Sequence, residues 1–364
     1  MLIVSLALPC YNIFNECGRL NIMADTKKEH YVPRCYLKNF VLEDDKIKVF
    51  DKFKMQVREQ RIMDVAMENY FYDIDFEEIL QKVESDENEK IKTDLKNIVG
   101  TENWEDVKNV LDKKHIEKDF FAPMEDIYSE LLHTFISKNH NGNEWVIKNC
   151  NICSEIEKEF MSLFIAIQII RTKSFRTNLG DTFAKLYQTL AYKSQMNNEN
   201  ALPKEAFEVE VNDDFVKLQH STMILDEEMV EGIAETLFNH IWVIYVNKTD
   251  YPFYTSDNPV VTIPHKRDKY VSYGGLASEG VEIIFPISPR LLLAMYEKET
   301  YNNKFHDRKY IVLSSKDRID YYNCQQVYHS YRCIFSKKNN FNLAEQICKE
   351  TPELQEYFSR VEVG

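Results

Sequence analysis

Apolar and polar positions change their period twice along the chain, and the changes divide it into three zones. Residues 30–75 carry short extended patterns: Lys46-Ile-Lys-Val-Phe-Asp51 alternates polar with apolar, which lays one face of a strand on a core, and Asp44-Asp45 supplies the turn before it. From about 76 to 240 the chain reads mostly as helix, with apolar residues three and four apart in Trp104–Leu111, Met124–Ile136, Ser154–Asn178 and Asp226–His240. Ser154 and Asp226 each precede a Glu in the first turn and predict N-caps. Beyond 240 come short apolar runs separated by turn chemistry: Ile241-Trp-Val-Ile-Tyr-Val246, Val260-Val-Thr-Ile263, Val281-Glu-Ile-Ile-Phe285, Leu291-Leu-Leu-Ala-Met-Tyr296 and Tyr331-Arg-Cys-Ile-Phe335. Helices segregated from strands predict an α+β fold, a mostly helical middle (about 76–240) packed on a largely antiparallel C-terminal sheet that the N-terminal strands can join.

Composition narrows the class without naming a reaction. A chain of 364 residues with 44% hydrophobic and 13% aromatic content has enough apolar material for a sizeable core and needs no disulfide staples. Its eight cysteines follow no framework spacing, which reads as reduced thiols and a cytoplasmic setting. With 45 basic against 59 acidic residues the net charge is -14, so long non-specific tracking along a polyanion is disfavoured while a local basic site is not. Met1 to Leu8 is apolar but shorter than a membrane span and lacks a basic flank, so no membrane association is expected. Gly18-Arg19 can be encoded by a purine-rich string a few codons before Met23. Residues 1–22 are therefore expected to be an upstream extension, and 23–364 a single domain.

Several segments occur in an order that resembles a family. His30-Tyr-Val-Pro33, Tyr36-Leu-Lys-Asn-Phe40, Glu68-Asn-Tyr-Phe-Tyr72, Gln168-Ile-Ile-Arg171-Thr172, Phe253-Tyr-Thr-Ser-Asp-Asn-Pro-Val260, Phe285-Pro-Ile-Ser-Pro289, Asn323 and Cys333-Ile-Phe-Ser336 together resemble the bacterial proteins grouped as domain of unknown function 4238. The resemblance spans nearly the whole chain after Met23 and implies no set of catalytic residues, so the chemistry rests on the residues themselves.

Three clusters are candidates. His30 titrates near neutrality and can act as a general base, an acid or a metal ligand, and Pro33 stiffens the segment that carries it together with Arg34. Alternatively, Tyr31, Tyr36, Leu37 and Phe40 are core anchors, with His30 and Arg34 their hydrogen-bonding companions. Gln168 and Arg171 lie three residues apart on a helix that is apolar almost all round, so both need partners. Either they fork a phosphate or carboxylate, or they clamp Asp257 or backbone carbonyls as cross-links. In Thr255-Ser-Asp-Asn-Pro259, Asp257 can hold a divalent metal or orient His30 while Asn258 donates to an oxyanion; the plain alternative is an Asx turn.

Weaker signals point to structure. Cys150-Asn-Ile-Cys153 lacks a second pair, and Cys324, His329 and Cys333 become ligands only if the fold unites them. His133 and His240 read as core histidines, Gly274-Gly275 as a loop, and Glu68 as a helix-end acid or a third site carboxylate. Two functions follow. One is a hydrolase, a phosphodiesterase or nuclease effector of defence or toxin type, with His30 as base, Asp257 as orienting or metal-binding acid, Asn258 as donor, and Gln168 and Arg171 on the phosphate of a nucleic acid or small phosphate-containing ligand. The other is a non-catalytic module that binds a ligand or protein, in which the same polar residues brace the fold.

Overall fold

A computed structural model describes residues 28–357 except 42, 75–80, 82–84, 113–115, 139–149 and 196–201; the expected extension 1–22 lies outside the described residues. Among the described residues the strands are β1 (Lys28–His30), β2 (Lys46–Asp51), β3 (Gln56–Arg61), β4 (Met67–Asn69), β5 (Ile241–Asn247), β6 (Thr255–Ser256), β7 (Val261–Pro264), β8 (Val281–Ser288), β9 (Leu291–Tyr296), β10 (Lys309–Leu313) and β11 (Cys333–Ser336). The helices are α1 (Arg34–Leu37), α2 (Ser85–Val99), α3 (Trp104–Asp112), α4 (Ala122–Ser137), α5 (Glu155–Ile170), α6 (Lys173–Ser194), α7 (Asp213–Leu225), α8 (Glu227–Asn239), α9 (Lys298–Tyr301), α10 (Lys316–His329) and α11 (Asn342–Glu350). The architecture is α+β, with mostly antiparallel strands.

The central sheet has the order β10-β5-β9-β8-β7. Side chains alternate across a strand, so an apolar run without alternation is a strand covered on both sides. In β5, Trp242, Ile244 and Val246 enter the main core beneath the helical layer, while Ile241, Val243 and Tyr245 enter a second core on the opposite face, to which α10 adds Ile319 and Tyr322. Strand β10 runs parallel to β5, an exception to the expected antiparallel pattern. The expectation that N-terminal strands join C-terminal ones holds in a second sheet, β3-β2-β11-β6, where Phe50 of β2 pairs with Ile334 of β11.

Helix ends follow local chemistry. At Ser154 the side chain accepts from Glu157 N at 3.1 Å, while Glu157 Oε2 accepts from Ser154 N at 2.7 Å, a capping box that starts α5 as predicted. Asp226 caps α8 by accepting from Met229 N at 3.0 Å. The single helix expected over 154–178 is instead two. Arg171 ends α5, and the Thr172 hydroxyl accepts from Phe175 N at 3.2 Å to start α6. A Thr side chain that competes for backbone amides favours such a break, and the uninterrupted apolar spacing conceals it. Glu68 also departs from expectation: it lies in β4, opposite Glu29 of β1, and its carboxylate pairs with Lys173. His133 is exposed on α4, whereas His240 is buried, its Nδ1 bonded to Thr236 O at 2.7 Å.

Candidate functional site

The opening motif sits at the junction of β1 and α1. His30 is 5% exposed, and burial, followed by the charges of Arg34 and Arg171, holds its imidazole down to about 4, so it is neutral at pH 7. Its carbonyl accepts from Arg171 Nη2 at 2.6 Å, and the next carbonyl, of Tyr31, accepts from Gln168 Nε2 at 3.3 Å. Arg171 Nη1 also meets Glu125 Oε1 at 3.2 Å, and the guanidinium stacks 3.8 Å over the Phe121 ring. Gln168 and Arg171 border a void of about 10 Å³, roughly the room of one water. The structure therefore gathers His30, Gln168 and Arg171, and the last two grip the backbone where β1 ends, at His30 and Tyr31.

Asp257 and Asn258 belong to a different cluster. Asp257 is 1% exposed; Oδ1 accepts from Tyr331 N at 2.8 Å, and Oδ2 from Arg332 N at 2.8 Å and Cys333 N at 2.7 Å. Burial pushes its carboxyl up, against the lowering pull of those amides and of Lys52. Asn258 Nδ2 donates to His329 O at 2.9 Å. Asn258 lines a cavity of about 330 Å³ together with Lys52, Thr172, His329 and Tyr331. Its polar wall is largely engaged with backbone: Lys52 Nζ donates to Ser330 O at 2.9 Å and Val327 O at 3.2 Å, and Thr172 Oγ1 to Ile169 O at 3.2 Å.

A different cavity, of about 360 Å³, lies on the α10 face of the central sheet. Its floor is Glu282 of β8, 3% exposed, directly opposite Tyr296 of β9. Period 2 turns Glu282 to the same face as Ile284, so a carboxylate occupies a position that the strand pattern reserves for an apolar side chain. Glu282 Oε1 accepts from Tyr296 OH at 2.7 Å and Tyr322 OH at 3.0 Å, and Oε2 meets His265 Nε2 at 2.7 Å. Because a carboxylate only accepts, His265 Nε2 is the donor; and because Tyr296 gives its proton to Glu282, Tyr245 must be the donor in the 2.8 Å Tyr245–Tyr296 bond. Burial, together with the negative charge of Glu282, pushes the phenols of Tyr296 and Tyr322 up and that of Tyr321 to about 12, so they stay protonated donors. Tyr301, Phe305, Ile311 and Tyr321 complete the walls, with Lys304 and Arg318 at the exposed rim.

The model of the family described as Protein of unknown function (DUF4238) matches residues 28–340. The chain belongs to the DUF4238 family. No curated protein and no solved structure matches it. All residues lining the Glu282 cavity fall inside the DUF4238 match, whereas the cavity at Asn258 also draws on Leu354, Glu356 and Tyr357 beyond it. Among the described residues no three His, Cys, Asp or Glu side chains converge as a metal site, so Cys324, His329 and Cys333 are not united as ligands. No helix among the described residues is long and apolar enough to cross a membrane. The signal for Glu282 was present in Val281-Glu-Ile-Ile-Phe285, an ionisable residue inside an apolar strand.

Proposed function

We propose that this DUF4238 protein is a small-molecule-binding module whose ligand occupies the tyrosine-lined cavity on Glu282, while His30, Gln168, Arg171, Asp257 and Asn258 brace the fold. One observation carries the reading: a buried carboxylate, held by three donors, forms the floor of a solvent-reaching aromatic cavity. Desolvating such a group costs several kcal/mol beyond an apolar residue of similar volume, and phenols pushed up by burial and a neighbouring charge, as Tyr296 and Tyr322 are, concentrate at functional sites. The cavity volume falls in the range of small-ligand pockets. A phosphodiesterase or nuclease built on His30 needs an imidazole that reaches solvent and exchanges protons near neutrality, and Asp257 as its acid needs a free oxygen. His30 is 5% exposed and held to about 4, and both oxygens of Asp257 accept backbone amides. A second reading is favoured by the 2.7 Å contact of His265 with Glu282: a carboxylate that fixes Nε2–H leaves Nδ1 as a base, so a bound ligand could also be deprotonated there.

The test is a thermal-shift screen of a general metabolite library against wild type and Ile311→Trp, which fills the cavity from β10. Compounds that raise Tm by mass action should lose that effect in the variant. Hits that stabilise both proteins equally overturn the reading.

A further inference from the structure

The charges around the Glu282 cavity are layered by depth. Glu282 lies at the floor, 3% exposed, whereas Lys304 and Arg318 are exposed at the rim, and between them stand the rings of Tyr245, Tyr296, Tyr301, Phe305, Tyr321 and Tyr322. A carboxylate has about four lone-pair directions. Two on Oε1 are taken by Tyr296 and Tyr322 and one on Oε2 by His265, which leaves one acceptor direction on Oε2.

One rim cation, Lys304, already attaches to the aromatic wall. Lys304 Nζ stands 5.6 Å from the Tyr301 ring centre and 5.3 Å from that of Phe305. The Arg318 guanidinium pulls against the burial that holds the phenols of Tyr245 and Tyr321 up, without reversing it. Aromatic faces therefore line the route from an anionic floor to a cationic rim, and they hold cations as well as apolar rings. A purely anionic ligand meets Glu282, and a purely cationic one meets Lys304 and Arg318. A ligand that carries one charge of each sign beside an apolar or aromatic body opposes neither.

Resting on the cavity's being the binding site, we propose that its ligand is a zwitterion of amino-acid size, an aromatic amino acid being the simplest form, with its ammonium on Glu282 Oε2 and its carboxylate at Arg318 and Lys304. The ring lies among the tyrosines, and the Lys304 ammonium leaves Tyr301 and Phe305 to meet the carboxylate.

The experiment is calorimetric titration of the full chain with phenylalanine, tyrosine and tryptophan, and, for whichever binds tightest, with its decarboxylated amine and its deaminated acid. Each analogue should bind at least about tenfold more weakly, the size of one charge-assisted hydrogen bond lost. Arg318→Gln, an exposed change, should erase the preference for the amino acid over the amine, and Glu282→Gln its preference over the acid. If none of the three amino acids binds at 10 mM, or if either analogue binds as tightly as its parent, the zwitterion assignment is overturned. Library compounds of another charge type whose binding is blocked by Ile311→Trp would then leave the cavity's binding role standing; their absence as well removes both.

Discussion

Replacing Asp257 by Asn separates bracing from chemistry, because it keeps the shape and removes the charge. Three backbone amides, of Tyr331, Arg332 and Cys333, converge on the carboxylate at 2.7–2.8 Å and hold the turn that leads into β11. Strand β11 lies between β2 and β6, so this turn fixes the second sheet. An Asn amide offers one acceptor oxygen. Oriented best, the oxygen keeps the Arg332 and Cys333 amides, and the NH₂ group faces the Tyr331 amide, donor against donor. One buried N–H left unpaired costs about 1–3 kcal/mol, and the two surviving bonds lose their charge assistance. Relief of carboxylate desolvation offsets part of this, so a net loss of about 2–4 kcal/mol is expected. Urea denaturation should show a lower midpoint with an unchanged slope, and ligand affinity at the Glu282 cavity, measured under native conditions, should be preserved. A loss below about 0.5 kcal/mol, or an intact fold that no longer binds ligand, would contradict a bracing role and return Asp257 to a direct chemical one.

Further expectations follow from the same geometry. Arg171→Met leaves Glu125 and the His30 carbonyl without their cation and should cost about 3–5 kcal/mol in urea denaturation, as breaking a buried pair does; a cost under 1 kcal/mol would mean the clamp is incidental. His30 is depressed to about 4 in the fold, so its contribution is complete above the unfolded value near 6.5 and is lost as pH falls towards 4. The loss at pH 5 is about 2 kcal/mol relative to neutrality. It should appear as the difference between wild-type and His30→Gln denaturation curves, which cancels the similarly depressed His220; a constant difference from pH 7 to 5 would contradict it. Ser154→Ala removes the capping box of α5 and should lower stability by about 1 kcal/mol, with no change in ligand binding.

Much of the fold was legible because burial leaves a periodic trace. The continuous apolar runs of β5, β8 and β9 marked strands covered on both faces, and Ser154 and Asp226 marked helix starts through a single side chain each. The break at Arg171-Thr172 left no trace, since apolar spacing continues through it while the interruption lies in one hydroxyl bond. Helix α10 was concealed within the sheet-rich zone because Lys316 to His329 carries few aliphatic residues and buries Tyr322, Asn323 and Gln326 instead. Gln168 and Arg171 were legible as groups in need of partners, and the structure gives them the backbone carbonyls of Tyr31 and His30, one of the alternatives open from sequence. The Glu282 cavity was legible only at its centre. Its wall is assembled from β5, β9, α10 and the segment 301–305, and a tyrosine's helical or strand pattern does not say that five phenols will meet.

The binding proposal rests on Glu282 as the residue that receives the ligand. The most direct measurement is a crystal structure of the full chain with the tightest-binding aromatic amino acid, backed by its affinity for wild type and Glu282→Gln. Ligand density is expected between the tyrosine rings, with nitrogen at hydrogen-bond distance from Glu282 Oε2 and carboxylate at the Arg318 rim, together with at least about tenfold weaker binding to the variant. Density in the cavity at Asn258 instead, or equal affinity for both proteins, would contradict it.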